Sequence, residues 1–159
     1  MILYHGSNVV VKEPEIRIYN RYLDFGYGFY TTSNYEQAKN FAEKVAKRKG
    51  GKAIVNIYEY NDETFCEYLK IKIFDSTNEE WLDFVSDNRN GTLKDSKYDI
   101  VIGPVADDDV YKTLHIYNDG LVTKEQALEA LKVKKLYNQY VFLSTRALLF
   151  LKFIKSEEI

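Results

Sequence analysis

Cysteine, which can cross-link a chain, and proline, which interrupts helices and strands, are both scarce in this sequence. Its 159 residues include one cysteine, Cys66, and two prolines, Pro14 and Pro104. A single cysteine excludes an internal disulfide and fits a reducing compartment. No linker, repeat or low-complexity tract is visible, so a chain of this length is expected to form one domain over residues 1–159.

Long apolar runs and an excess of charge are also missing. The most apolar C-terminal stretch, ALLFL, is far too short to span a bilayer, and the opening MILYHGSN has no signal-peptide pattern. We therefore expect a cytoplasmic protein that does not enter a membrane. A net charge of −2 indicates no broad basic surface for nucleic acid, although it leaves a local basic patch open.

Aromatic residues are abundant, with 14 tyrosines and 9 phenylalanines. They suit strands and binding clefts, where an apolar ring and a polar tip are both useful. Strands and helices are predicted without regular βαβ alternation, which favours the α+β class. The predicted strands are 1–5, 27–31, 53–60, 68–74, 98–103 and 136–142. A first helix is predicted that Ser33 or Asn34 can cap and that Gly50 ends, and the other predicted helices are 77–88, 107–117, 123–132 and 145–154.

Several motifs follow one another in a recognisable order. They are LYHGS at 3–7, DFGYGFYTT at 24–32, YDIVIGPVADDDV at 98–110, LYNQYVF at 136–142 and ALLFLKF at 147–153. This order resembles the ADP-ribosyltransferases, in particular the diphtheria toxin and poly(ADP-ribose) polymerase branch with its His-Tyr-Glu signature. It resembles more closely a family of small bacterial proteins, domain of unknown function 3990. The resemblance implies split mixed or antiparallel sheets with flanking helices around an NAD cleft.

The resemblance also implies a role for each matching residue of an NAD site. His5 would hydrogen-bond a ribose hydroxyl, and Gly6 would offer its backbone amide and carbonyl to the nicotinamide carboxamide. Tyr30 would lie against the nicotinamide ring, and Phe41, eleven residues later, would stack on it from the helix. The remaining NAD contacts would be Ser7, a nearby polar group, and Arg21, a phosphate contact in the loop before the second strand.

The third signature position departs from the pattern, because Gln139 stands where the best-known relatives place a glutamate. That carboxylate stabilises the oxocarbenium-like cation formed as the bond between ribose and nicotinamide breaks. Glutamine can still accept a hydrogen bond from the ribose 2′-hydroxyl, but it has no charge and cannot take a proton. Strand alternation predicts that Gln139 lies on a central strand and faces the same cleft as His5 and Tyr30.

The function implied is an intracellular mono-ADP-ribosyltransferase that uses NAD as its substrate, without a metal, to modify a macromolecule. Small bacterial relatives of this kind resemble toxins of toxin–antitoxin or phage-defence pairs, which implies an antitoxin protein as a further partner. The acceptor stays open between protein, DNA and RNA. Two alternatives stay open: a non-catalytic NAD or ADP-ribose binding module, which the missing acid favours, and an NAD glycohydrolase.

Each of these residues also has a structural alternative. His5 can be a hydrogen-bonded histidine at a strand end, Phe41 can belong to the core, and Gln139 can bond a backbone carbonyl. The acidic residues 107–109 favour helix capping over a metal site, and Cys66 has no basic neighbour that would make it a nucleophile.

Overall fold

The computed structural model describes residues 1–18, 23–61, 67–91, 97–105, 108–132 and 136–159. The strands in these ranges are β1 (Ile2–Ser7), β2 (Phe29–Thr32), β3 (Ile54–Tyr60), β4 (Ile71–Ile73), β5 (Ile100–Pro104), β6 (Asn138–Phe142) and β7 (Leu151–Glu158). The helices are α1 (Tyr35–Lys49), α2 (Glu79–Arg89), α3 (Asp108–Asn118), α4 (Lys124–Lys132) and α5 (Thr145–Leu148). None of the helices in this part of the chain has the length and apolar character that a bilayer crossing requires.

The seven strands form one mixed sheet in the order β4-β5-β6-β2-β1-β3-β7. Strands β4 and β5 are parallel, and the other neighbouring pairs are antiparallel. The α+β class is therefore confirmed, as is the central position of β6, the strand that carries Gln139. The expected division into split sheets is replaced by a continuous sheet, because β6 pairs with β5 on one side and with β2 on the other.

The strand register assigns side chains to the two faces of this sheet, since residues directly opposite each other in an antiparallel pair point to the same side. One side, here called the helix face, carries Tyr4, Gly6, Tyr30, Thr32 and Gln139. Helix α1 packs on it over β1 and β3, and α2, α3 and α4 pack on it over β5 and β6. Gaps between two such groups of helices are places where a ligand can reach a sheet.

The opposite side, here called the loop face, has a different cover. Leu3, Phe29 and Tyr58 are buried there and pack against Val11 and Ile16 of the loop after β1, and against residues of α5 and β7. Tyr58 donates a hydrogen bond of 2.6 Å from its hydroxyl to the Val11 carbonyl, which ties that loop to the sheet. Burial raises the pKa of the Tyr58 hydroxyl, so the hydroxyl stays protonated and keeps donating this hydrogen bond.

Helix α1 forms as its sequence predicts. The Asn34 side chain accepts a hydrogen bond from the Gln37 amide, and Gly50, at φ +82°, ends the helix. Ala38, Ala42 and Val45 form the buried stripe that meets the helix face. Small side chains on this stripe let the helix axis approach the sheet closely.

The predicted C-terminal helix at 145–154 is wrong beyond its first turn. Helix α5 ends at Leu148, and β7 begins at Leu151. Strand β7 pairs with β3 over its whole length, and Phe153 places its ring 5.8 Å from that of Tyr58. Pairing with β3 overrides the local helical pattern, as tertiary contacts often do for short apolar runs.

Candidate functional site

Strands β1 and β2 pair over a very short length. Among the described residues they are registered at one pair, Tyr4 opposite Thr32. In contrast, β1 follows β3 throughout, from Ile2 opposite Glu59 to Ser7 opposite Ile54. The stretch in which no further pair is registered, between residues 5–7 of β1 and residues 29–31 of β2, is called the wedge below.

The backbone of Gly6 faces this wedge. Tyr60 donates its amide to the Met1 carbonyl at 2.8 Å, and the Met1 nitrogen donates to the Tyr60 carbonyl at 3.0 Å, so this pair shares both hydrogen bonds. Because the bonding side alternates along an antiparallel strand, odd-numbered residues of β1 bond to β3 and even-numbered residues point towards β2. The N–H and the C=O of Gly6 therefore both point into the wedge. One N–H beside one C=O is the arrangement that pairs with a carboxamide.

Helix α1 closes one wall of the wedge directly over Gly6. A Cβ atom added to Gly6 would lie 2.1 Å from the Ala38 carbonyl oxygen and 2.8 Å from the Ala42 nitrogen. Glycine is therefore required here for close approach of two backbones.

Phe41 lies on the flank of α1 that faces β2. The Thr32 hydroxyl donates a hydrogen bond of 2.6 Å to Gln37 Oε1, which identifies that flank, and Phe41 follows Gln37 by four residues on the same side. The ring is 50% exposed although it is large and apolar. The alternative in which Phe41 is a core residue therefore fails. Its stacking on nicotinamide stays a prediction.

Tyr30 lies on the helix face, half-buried against the core of that face. Its hydroxyl accepts a hydrogen bond from the Phe25 amide at 3.1 Å and donates one to the Gly26 carbonyl at 2.6 Å. With its proton and a lone pair both engaged, this hydroxyl is not placed for proton transfer. Tyr30 offers a ring that the loop before β2 holds in position.

Replacing Tyr30 with phenylalanine is expected to lower the free energy of unfolding by about 1–3 kcal/mol, because the Phe25 amide and the Gly26 carbonyl both lose their partner. Urea denaturation measures the loss. Tyr68, which is 73% exposed, supplies the control, and Tyr68→Phe should change stability by less than about 0.5 kcal/mol. Equal losses in the two variants would mean that the Tyr30 hydroxyl anchors nothing.

His5 lies on the loop face. Its Nδ1 donates a hydrogen bond of 2.7 Å to the Tyr30 carbonyl, and its ring centroid is 4.3 Å from that of Phe29. The expectation that Gln139 and His5 face the same side is wrong, because odd-numbered residues of β1 share the face of Phe29 rather than that of Tyr30. His5 still touches the edge of the wedge through the Tyr30 carbonyl, and its neutral ring keeps Nε2 as an acceptor.

Burial lowers the pKa of His5 to about 4 from its ordinary value of 6.5. The unfolded chain therefore binds more protons between these two values, so stability should fall as pH drops from about 6.5 to about 4, by at most about 3 kcal/mol. Unfolding measured across this range should lose that dependence in His5→Asn. The other histidine, His115, is exposed beside Asp119, so His115→Asn should retain it. The opposite pattern would exclude His5 as the group responsible.

Gln139 is 5% exposed and lies between Thr32 of β2 and Gly103 of β5 in the register. Its Nε2 has no hydrogen-bond partner within the described ranges, so the alternative of a bond to a backbone carbonyl is not realised for this atom. Rotating the amide by 180° would place Oε1 there, so the position can accept as well as donate. A buried polar atom without a partner costs about 1–3 kcal/mol, which makes its retention notable.

The other predicted site positions contribute less to the geometry. Ser7, at the outer end of the wedge, accepts a hydrogen bond of 3.3 Å from the Val9 amide in an exposed turn. Arg21 lies outside the described residues, as do Cys66 and Asp107. No group of three or more histidine, cysteine, aspartate or glutamate side chains that could hold a metal occurs in the described part of the chain.

Two polar residues at the closed end of the wedge, Thr32 and Gln37, were not predicted from the sequence. The Thr32 hydroxyl lies opposite Gln139 and bonds Gln37, which extends a polar strip from β6 to α1. Thr32 is the last residue of GFYTT, and only the strand register reveals that it neighbours Gln139. For Gln37, the sequence signal was Asn34, a helix-capping residue three positions earlier that places Gln37 in the first turn of α1.

A separate cavity of about 420 Å³ opens at the other end of β6, lined by Lys70, Lys97, Tyr98, Asp99, Leu143, Ser144 and Arg146. Arg146 forms a two-point ion pair with Asp99 at 2.8 and 2.6 Å. These bonds, with one from the Ser144 hydroxyl, hold the pKa of the Asp99 carboxyl well below its usual range. The carboxylate is thus satisfied by its own neighbours, and the cavity does not include the wedge.

Comparison with known proteins gives one matching family. No curated protein and no solved structure matches the chain. The family described as protein of unknown function (DUF3990) matches residues 1–153, a range that includes both sides of the wedge, α1 and Gln139. The chain therefore belongs to the DUF3990 family.

Proposed function

We propose that this protein is a mono-ADP-ribosyltransferase that binds the nicotinamide riboside end of NAD at the wedge. The observation that carries the proposal is the buried Gln139 amide, whose nitrogen has no partner among the described residues. Buried polar atoms are nearly always hydrogen-bonded, and in the described residues Gln139 Nε2 and Ser86 Oγ lack a partner. Gln139 is the one that shares the helix face with Gly6 and Tyr30, which favours a ligand group as its partner. A ribose hydroxyl, which can both donate and accept, satisfies either orientation of the amide.

The surroundings of the wedge suit the rest of that ligand. Gly6 directs an N–H and a C=O into it, which fits a carboxamide, and Phe41 keeps an apolar ring exposed on the adjacent flank of α1. Tyr30 supplies a second ring on the helix face. The resemblance to the ADP-ribosyltransferases implies the same nicotinamide contacts for Gly6, Tyr30 and Phe41.

The reaction follows from the chemistry of the bond that breaks. The C–N bond between ribose and nicotinamide cleaves, nicotinamide leaves with the electron pair, and positive charge develops on the ribose. The acceptor atom then donates a lone pair to the ribose carbon and loses its proton to solvent. Gln139 would grip a ribose hydroxyl as the ring flattens, but a neutral amide adds no charge to stabilise the cation. We therefore expect single ADP-ribose additions rather than chains.

The same neutral amide favours a second candidate, a module that binds NAD or ADP-ribose without reacting. NAD hydrolysis is a third candidate, in which water replaces the macromolecular acceptor. A toxin role, an antitoxin protein as partner and a cytoplasmic location come from the resemblance and stay proposals. The identity of the acceptor also stays open between protein and nucleic acid.

One experiment separates these functions. The protein is incubated with adenylate-labelled NAD and bacterial lysate, and free nicotinamide, free ADP-ribose and macromolecular label are measured together. A transferase releases nicotinamide and transfers label in equal amounts, whereas a hydrolase releases nicotinamide with free ADP-ribose. Intact NAD at the end of the incubation would exclude both enzyme functions and leave the binding module. Digestion of the labelled product with protease or nuclease identifies the acceptor class.

A further inference from the structure

The loop before β2 is tied to helix α2 by a buried ion pair. Arg89, near the end of α2, donates from Nε to Asp24 Oδ1 at 2.6 Å, and the two side chains are 15% and 9% exposed. The Arg89 guanidinium also lies 3.5 Å from the ring centroid of Tyr111 on α3. A cation held both by a carboxylate and by an aromatic ring has little freedom to move.

This ion pair connects directly to Tyr30. Asp24 immediately precedes Phe25, whose amide donates to the Tyr30 hydroxyl at 3.1 Å. The next residue, Gly26, has φ +95°, and its carbonyl accepts a hydrogen bond from the Tyr30 hydroxyl. A continuous series of contacts therefore runs from Arg89 through Asp24 and this turn to the Tyr30 ring.

We propose that Arg89 is a positioning residue for the nicotinamide site, fixing the Tyr30 ring through Asp24 and the turn at Phe25 and Gly26. This inference rests on the proposed function, because it gives the ring a ligand to meet. Stacking depends on ring separation and angle, so a loosened turn lowers affinity without removing any group that touches the ligand.

The chain offers a matched control for a purely structural role. Asp99 and Arg146 form a second buried-carboxylate ion pair, at the far end of β6 and away from the wedge. Helix α2 is also held by Trp81, Leu82 and Val85, all fully buried, so its presence does not depend on Arg89 alone. Arg89→Lys keeps the charge but loses the planar, multiply bonding group, and Arg146→Lys makes the same change elsewhere.

The test compares these variants by amide hydrogen exchange and by calorimetric titration with NAD. Arg89→Lys should speed exchange of the Phe25 amide at least about tenfold and weaken NAD binding about fivefold, whereas Arg146→Lys should do neither. In a Tyr30→Phe background, which has no hydroxyl for the turn to hold, Arg89→Lys should weaken binding no further.

Additive losses in the double variant, or unchanged Phe25 exchange in Arg89→Lys, would overturn the positioning role. Failure of the wild-type protein to bind NAD would instead count against the proposed function. The Phe25 exchange rate would still decide whether Arg89 holds the turn, so the two failures remain distinguishable.

Discussion

Gly6→Ala is expected to lower the free energy of unfolding by about 3 kcal/mol or more. The added methyl would meet the Ala38 carbonyl at 2.1 Å and the Ala42 nitrogen at 2.8 Å, and both are helix backbone atoms that no rotamer change can move. Helix α1 would have to shift away from β1, which removes packing along its buried stripe. Urea denaturation, with the midpoint and slope both recorded, measures the effect.

Gly120→Ala supplies the control for this prediction. Gly120 has φ +74°, and no atom lies within 4 Å of an added Cβ. The substitution should therefore lower the free energy of unfolding by only about 1 kcal/mol, through backbone strain alone. A loss at Gly6 no larger than that at Gly120 would show that α1 does not press on β1 as described. NAD binding is expected to fail in Gly6→Ala even where some protein stays folded.

Gln139→Met is expected to lower transferase or NAD-cleaving activity by roughly 100-fold while leaving the protein as stable as before, or more so by about 1 kcal/mol. Methionine has a similar shape and removes the polar nitrogen that has no partner among the described residues. An ordinary core residue behaves differently, because its loss destabilises the fold. Thermal unfolding beside the labelled-NAD assay separates the two effects.

Asn88→Leu is the matched control, since Asn88 is 8% exposed and its side-chain amide does have a partner. It donates to the Phe84 carbonyl at 3.0 Å, so the variant should lose stability and keep the activity of its folded fraction. If Gln139→Met is destabilised like Asn88→Leu and keeps full activity, Gln139 is a structural residue.

Much of the fold was predictable from local patterns. For helix α1, local sequence indicates the start by Asn34 and the end by Gly50. The spacing of Ala38 and Ala42 indicates its buried face. Strands β3 and β6 follow from alternation within apolar runs. The C-terminal strand was not predictable in the same way, because ALLFL suits a helix equally well and β7 exists through its pairing with β3.

The candidate site was likewise predictable only where local sequence patterns determine it. The motifs identified Gly6, Tyr30 and Gln139, and their strands do lie near one another. The face of each side chain depends on the register between strands distant in sequence, so sequence alone does not show that Gln139 and His5 lie on opposite faces. Long-range partners such as Arg89 and Asp24, 65 residues apart, leave no local pattern at all.

The side-chain amide of Gln139 offers the most direct test of NAD binding at the wedge. Nuclear magnetic resonance spectra of ¹⁵N-labelled protein are recorded during titration with NAD and, separately, with nicotinamide. Binding at the wedge should shift the Gln139 side-chain amide and the Gly6 backbone amide together, with one saturation curve, and nicotinamide alone should shift Gly6. If both signals stay fixed at millimolar NAD, or only the cavity beside Lys70 and Arg146 responds, NAD does not bind at the wedge.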